Sequence, residues 1–344
     1  MSMRVANYYS NKDVRIEELP IPRIGRGELL IKINATGICG SDVLEWYRSK
    51  KVPRVLGHEV AGEIAEVGPG INGFKKGDRV SASHHVPCYK CHYCNLGHHT
   101  LCDTLRTTNF DPGGFSEWVR LPEINSLYGV YRIPDTVSFE EATFIEPLAC
   151  VVRAQRKVDI RKGQTVFIIG CGVSGLLHIM LAKVRGAERV IACDLVDLRL
   201  KAALQCGANE VFKASDVIPK KLSQTNEGRL ADVVISCAAN KEATFQVIEY
   251  AGRGGVVLFF ALQSPDQVIP FSMNEVFWQK GLTFTSSYAA SPEDHRESLD
   301  LICSRKVNVW QLITHRLGLS EVAKGFDLVM NAKDSIKVIL DPSR

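Results

Sequence analysis

The 344-residue chain is short of the features that mark several protein classes. No apolar stretch reaches the length that spans a bilayer; the strongest run, Val166 to Ile169, is strand-sized, so no membrane helix is expected. No long Lys/Arg run breaks the near balance of charge, a formal +4, so a nucleic-acid partner is not expected. The opening residues, Met1-Ser2-Met3-Arg4-Val5, lack a basic leader followed by an apolar core, which argues against secretion and for a cytoplasmic protein. There is no internal repeat and no low-complexity segment. The eleven cysteines are odd in number and unevenly spaced, unlike a disulfide scaffold.

What is present divides the chain in two, as its length suggests. Up to about Val119 it reads as short strands broken by glycine and proline, such as Leu29–Ile33 and Glu63–Val67, with turns at Pro69-Gly70 and Lys76-Gly77-Asp78. This predicts a β-rich, barrel-like domain. After about residue 149 strands and helices alternate: strand Thr165–Ile169, helix Gly175–Arg185, strand Arg189–Cys193, helix Leu198–Cys206, then strands Ala231–Cys237 and Gly255–Phe260. That alternation predicts a doubly wound parallel sheet.

Gly170-Cys171-Gly172-Val173-Ser174-Gly175 fits G-x-G-x-x-G and sits between a predicted strand and helix, the context a dinucleotide loop requires. The first glycine permits the turn, the second admits a pyrophosphate, and the third lets helix and strand pack closely, while the helix N-terminus offers free N–H groups. Asp194 stands 19 residues after Gly175, where a carboxylate can accept from a ribose diol and repel a 2′-phosphate. NAD is therefore expected over NADP, with Arg199 the nearby cation that works against that preference.

Four of the cysteines, Cys88, Cys91, Cys94 and Cys102, fall in one window. Four thiolates suit a closed tetrahedral zinc site without an open position for chemistry, so a structural zinc is expected; an iron–sulfur cluster uses the same ligand number. His84, His85, His92, His98 and His99 crowd the same region and are expected to be structural or solvent-facing. A second candidate set is dispersed: Cys39 after a strand, His58-Glu59, and Glu146-Pro147-Leu148. A thiolate, an imidazole and a carboxylate can hold zinc and leave a position for a substrate oxygen, and open zinc acidifies an alcohol.

Gly57-His58-Glu59-x-x-Gly62, then Gly68 and Ile71, then Gly77-Asp78-Arg79-Val80, resembles the signature of the zinc-dependent medium-chain alcohol dehydrogenase family. The cysteine window, Gly113 to Glu117 and the nucleotide loop follow in family order, over essentially the whole chain. Cys39-Gly40-Ser41-Asp42 and Glu146-Pro147-Leu148 are similar to the polyol and threonine dehydrogenase branch. The resemblance implies a GroES-like catalytic domain of residues 1–148 and 289–344, a Rossmann NAD-binding domain of residues 149–288, and an active site in the cleft between them. It implies that Cys39 and His58 bind catalytic zinc. Glu59 and Glu146 complete or exchange in its shell, directly or through water, and Ser41 accepts the substrate proton. It also implies two zinc ions per chain, a small-molecule substrate and a homo-oligomer, a tetramer by analogy. The expected reaction is NAD-linked oxidation of a secondary hydroxyl on a polyol, sugar or cyclitol derivative. Threonine oxidation at the β-hydroxyl is the alternative, and a non-catalytic nucleotide-binding protein would have lost these ligands.

Two departures bear on the substrate. The segment between Cys39 and His58 is shorter than in sorbitol dehydrogenases and carries Arg48, Lys50, Lys51 and Arg54. Arg153 takes a place where these relatives carry histidine. Arg48 and Arg153 are thus candidate contacts for an anionic substrate group.

Overall fold

A computed structural model describes residues 1–216 and 218–344, with the side chain of Glu242 outside the description. The chain forms two compact units, Met1–Ala149 with Ala289–Arg344, and Cys150–Tyr288.

In chain order the strands of the first unit begin β1 (Ser2–Ser10), β2 (Asp13–Pro20), β3 (Leu29–Gly37), β4 (Arg54–Val55), β5 (Glu59–Val67), β6 (Arg79–Ala82), β7 (Trp118–Leu121) and β8 (Val130–Arg132). The second unit holds β9 (Thr165–Ile169), β10 (Arg189–Asp194), β11 (Glu210–Lys213), β12 (Ala231–Ser236), β13 (Ala251–Phe259) and β14 (Thr283–Ser286). The chain then returns to the first unit with β15 (Ile313–Gly318) and β16 (Lys337–Asp341).

The first unit is built on a seven-stranded sheet in the order β15-β16-β3-β5-β6-β8, with β7 also paired to β3, and a smaller sheet β2-β1-β4. β3 is central, pairing with β5, β7 and β16, and its inner face is apolar: Leu29, Ile31 and Ile33 are all buried, whereas Lys32 is exposed. One core joins Leu29, Ile31, Ile33, Val60, Ile64, Val80 and Val119. A second gathers Met3, Tyr8, Ile38, Phe115, Phe326, Val338 and Leu340. The second core ties β16 to β1, so the returning segment supplies part of the first unit's interior.

The second unit is a six-stranded parallel sheet in the order β11-β10-β9-β12-β13-β14. Counted within the unit, that order is the doubly wound 3-2-1-4-5-6. β9 reads Thr-Val-Phe-Ile-Ile and every residue of it is buried, as a strand covered on both faces requires. The helix after β9 runs Val173–Val184. Gly170 turns the chain at φ +93°, and a Cβ on Gly175 would stand 1.9 Å from the Gly170 carbonyl oxygen, so helix and strand approach at a distance only glycine permits. The predicted helix start at Gly175 is two residues late, because the loop's own Val173 and Ser174 already form its first turn. Among the described residues no helix is long and apolar enough to cross a membrane.

Candidate metal centres and nucleotide loop

In the cysteine window, Cys88, Cys91, Cys94 and Cys102 bring four thiol sulfurs to within 4.8 Å of one another. Cys91 and Cys94 sulfurs lie 3.5 Å apart and those of Cys88 and Cys102 3.6 Å apart, with no disulfide between them. Those separations suit four thiolates about one zinc. Local structure prepares the loop for anionic sulfur. Burial raises the Cys102 pKa, but the backbone N–H groups of Cys88 and Leu105 pull it down to about 6. Among the described residues no histidine joins this donor set. His92 and His98 are exposed, and His99 sits 3.6 Å from Glu293. His84 and His85 turn inward instead, their rings 3.8 Å apart, and the His84 ring lies 4.9 Å from that of His58.

The open set assembles around the end of β3 and the start of β5. Cys39, His58 and Glu59 place one donor atom each within 4.8 Å of one another. Cys39 caps the short turn Gly40–Val43. Its backbone N–H donates to Asp42 Oδ2 at 3.1 Å, while Ser41 Oγ lies 3.4 Å from its sulfur. Asp42 is fully buried and contacts His58 Nδ1 at 3.4 Å through Oδ1. Burial would raise the Asp42 pKa, but His58 and Arg48 hold the carboxyl below its usual range. A carboxylate behind a metal-binding imidazole fixes its orientation and tautomer. Sequence reasoning gave Asp42 no role, although its place three residues after a capping Cys39 was the available signal.

Glu59 tests the fit. Its Oε2 forms an ion pair with Lys337 Nζ, and both side chains are buried. Its Oε1 is buried with no hydrogen-bond donor among the described residues. A buried carboxylate oxygen without a partner is costly, and a cation beside Cys39 and His58 would satisfy it. The residues therefore fit an open zinc site. Lys337, absent from the sequence reading, is held by Glu59, by the Ile38 carbonyl at 3.4 Å and over the Phe144 ring. Glu146 is buried in the first turn of the helix Ile145–Val158 and lies outside the three-donor set. Arg48 points inward: its guanidinium donates to the Ser41 carbonyl at 3.0 Å, to Ser41 Oγ at 2.9 Å and to Asp42 Oδ1 at 3.1 Å. Arg153, half-buried, lies on the helix Ile145–Val158.

In the second unit Asp194 ends β10, and its two oxygens accept from the Cys171 N–H at 2.7 Å and the Val196 N–H at 2.9 Å. It thereby braces the Gly170–Gly175 loop. Arg199 Nη1 stands 3.9 Å from Asp194 Oδ2. A Cβ on Gly172 would meet nothing but that guanidinium at 3.9 Å, so the loop keeps open space where backbone can approach a ligand.

Residues 25–135 match the alcohol dehydrogenase GroES-like domain, and residues 174–304 match the zinc-binding dehydrogenase domain. The chain is 31% identical to sorbitol dehydrogenase of Bacillus subtilis (strain 168), across 100% of this chain and 98% of that protein. It is 34% identical to L-threonine 3-dehydrogenase of Bacillus licheniformis, across 95% and 94%. A zinc-binding dehydrogenase of Sinorhizobium meliloti 1021, bound to NADP, superposes with a TM-score of 0.89 at 27% identity, covering 99% and 100%. The chain belongs to the zinc-dependent medium-chain alcohol and polyol dehydrogenase family. It is an oxidoreductase with a GroES-like domain and a Rossmann-like domain.

Proposed function

We propose that this enzyme oxidises a secondary alcohol on a small polar substrate, a polyol, sugar or cyclitol derivative, to the ketone, passing the hydride to NAD. The observation that carries the reading is the three-donor set of Cys39, His58 and Glu59 beside the Ser41 hydroxyl, with one Glu59 oxygen buried and unpartnered among the described residues. Cys39 and His58 would hold zinc, with Glu59 and Glu146 completing or exchanging in its shell. Zinc held there supplies the Lewis acidity that eases loss of the substrate hydroxyl proton near neutral pH. NAD supplies the hydride acceptor.

The chain's own residues do the rest. Asp42 orients the His58 imidazole. Ser41 takes the substrate proton while passing on its own. Arg48 donates to Ser41 Oγ and, being permanently cationic, cannot accept that proton. The outgoing proton must therefore leave Ser41 on a side away from Arg48. Gly170, Gly172, Val173, Ser174 and Gly175 would cradle the dinucleotide phosphates at a helix N-terminus. Asp194 would accept from the adenosine ribose. Its charge favours NAD, although the Sinorhizobium neighbour carries NADP, and Arg199 offsets part of that charge. The threonine relative supports a second reading, oxidation of the β-hydroxyl of L-threonine.

The deciding experiment is a panel of polyols, sugar alcohols, cyclitols and L-threonine with zinc-loaded enzyme, followed by NADH absorbance. We expect turnover of one of these classes that collapses in His58→Ala. Absence of NADH formation across the panel, or an active His58→Ala enzyme, defeats the proposal.

A further inference from the structure

The cationic segment between Cys39 and His58 does not behave as one patch. Lys50 and Lys51 are exposed, as solvated loop charges are. Arg48 and Arg54 are both half-buried. The Arg48 side chain is only 14% exposed and engages Ser41 and Asp42 through Nε and Nη2, which leaves Nη1 without a hydrogen bond among the described residues. Through Ser41 Oγ it stands two polar contacts from the Cys39 sulfur. Arg54 lies on β4, opposite Tyr8 of β1, and is half-buried. Among the described residues none gives the Arg54 guanidinium a hydrogen bond or an ion pair. Burial and the neighbouring Arg48 charge lower its pKa, against a smaller opposing pull from Asp42 and Tyr47. The local carboxylate, Asp42, is already shared between Arg48 and His58.

A half-buried guanidinium six residues from a second one, with no ion-pair partner of its own, carries an electrostatic cost that the shared Asp42 carboxylate offsets only in part. A bound anion would offset it. Guanidinium edges bind oxyanions through paired, charge-assisted hydrogen bonds, which a neutral polyol does not need. We infer that Arg48 and Arg54 form a receptor for an oxyanion on the substrate, so that the enzyme acts on alcohols carrying a carboxylate, phosphate or sulfonate near the reacting carbinol. This rests on the alcohol dehydrogenase reading of the adjoining Cys39–His58–Glu59 site. The dinucleotide's own phosphates share the same chemistry, and the test separates the two sources.

Zinc-loaded enzyme at saturating NAD is given matched substrates: sorbitol, sorbitol 6-phosphate and gluconate, and glycerol, glycerol 3-phosphate and glycerate. Inorganic phosphate binding is measured in parallel by calorimetry, without turnover. The expected result is a kcat/KM for an anionic member about tenfold or more above that of its neutral partner. In Arg54→Gln that ratio falls by about tenfold, through KM, and phosphate binding weakens alike; Arg54→Lys restores part of both. Lys50→Gln keeps the ratio within about twofold, as a screened surface charge should. Equal thermal midpoints establish that the variants are folded. A neutral partner that is the better substrate, or a ratio and phosphate affinity unmoved by Arg54→Gln, overturns the inference. So does a weaker NAD dissociation constant in Arg54→Gln with the substrate ratio intact, which assigns the arginines to the dinucleotide. If no alcohol in any pair yields NADH, the alcohol dehydrogenase reading is decided by the wider panel of polyols, sugar alcohols, cyclitols and L-threonine. The calorimetric arm then decides the arginine receptor on its own, and phosphate binding that Arg54→Gln leaves unchanged overturns it.

Discussion

Lys337 and Glu59 form an ion pair in which each side chain is only 1% exposed, although 278 residues separate them in the chain. Removing one partner of such a pair leaves an uncompensated buried charge. Lys337→Met should therefore destabilise the folded protein by about 3 kcal/mol or more. Adding Glu59→Gln should recover much of the loss, because the stranded charge goes too. Urea unfolding of both variants measures this, and a single variant as stable as wild type would show that the pair carries no net energy.

The two donor sets make different demands. Metal-replete enzyme should contain zinc at two per chain and no iron by elemental analysis. Cys88→Ser opens the closed set and should cost one zinc and lower the thermal midpoint. His58→Ala should leave that zinc and the fold in place while abolishing most turnover. A His58→Ala enzyme of near-normal activity would remove His58 from the chemistry.

Glu146 is tested by shape-preserving removal of its charge. Glu146→Gln should lower turnover by at least about tenfold, the modest end for a group acting in proton transfer or at its metal. An experimental structure with zinc bound and this side chain remote from it would end the assignment.

Cofactor choice depends on Asp194. The specificity constant for NAD should exceed that for NADP several-fold, because a 2′-phosphate would meet the carboxylate. Arg199→Ala should widen the gap by removing the cation 3.9 Å from it. Equal constants for both cofactors in the wild type refute the assignment.

Acid stability should report on Glu141. Burial raises its pKa, but bonds from Ser138 and Arg305 outweigh that and hold it below the ordinary carboxylate value. A depressed folded-state pKa stabilises the protein above the unfolded pKa, and the contribution is lost as pH falls through the folded one. Glu141→Gln should therefore flatten the acid limb of the stability–pH curve and cost stability at neutral pH. An unchanged acid limb would show that the pair is not coupled to folding.

The cysteine window was legible because all its donors lie within 15 residues and need no tertiary information. The nucleotide loop was legible because a buried apolar strand precedes it, and the strand Thr165–Ile169 was predicted to the residue. Cys39 and His58 could be paired only through family resemblance, since nothing local shows that β3 and β5 are neighbours in one sheet. Lys337 was invisible: a lone lysine in an apolar strand reads as an exposed residue until its partner is known. The inward turn of His84 and His85, and the split between Arg48 and Arg54 and the exposed Lys50 and Lys51, are likewise decided by packing that composition does not encode.

The pairing of β16 with β3 also orders events during synthesis. Cys39, His58 and Glu59 leave the ribosome long before Ile339 and Leu340 can pair with Gly37 and Thr36, and before Lys337 can reach Glu59. The whole Cys150–Tyr288 unit is made in the interval. In a nascent chain the Glu59 carboxylate therefore lacks its Lys337 partner, and the sheet that positions it is incomplete. Loop closure on this scale is a slow step in folding. An emerging chain thus has its closed cysteine site available for metal early, whereas the open site acquires its finished geometry only once the returning strand has docked.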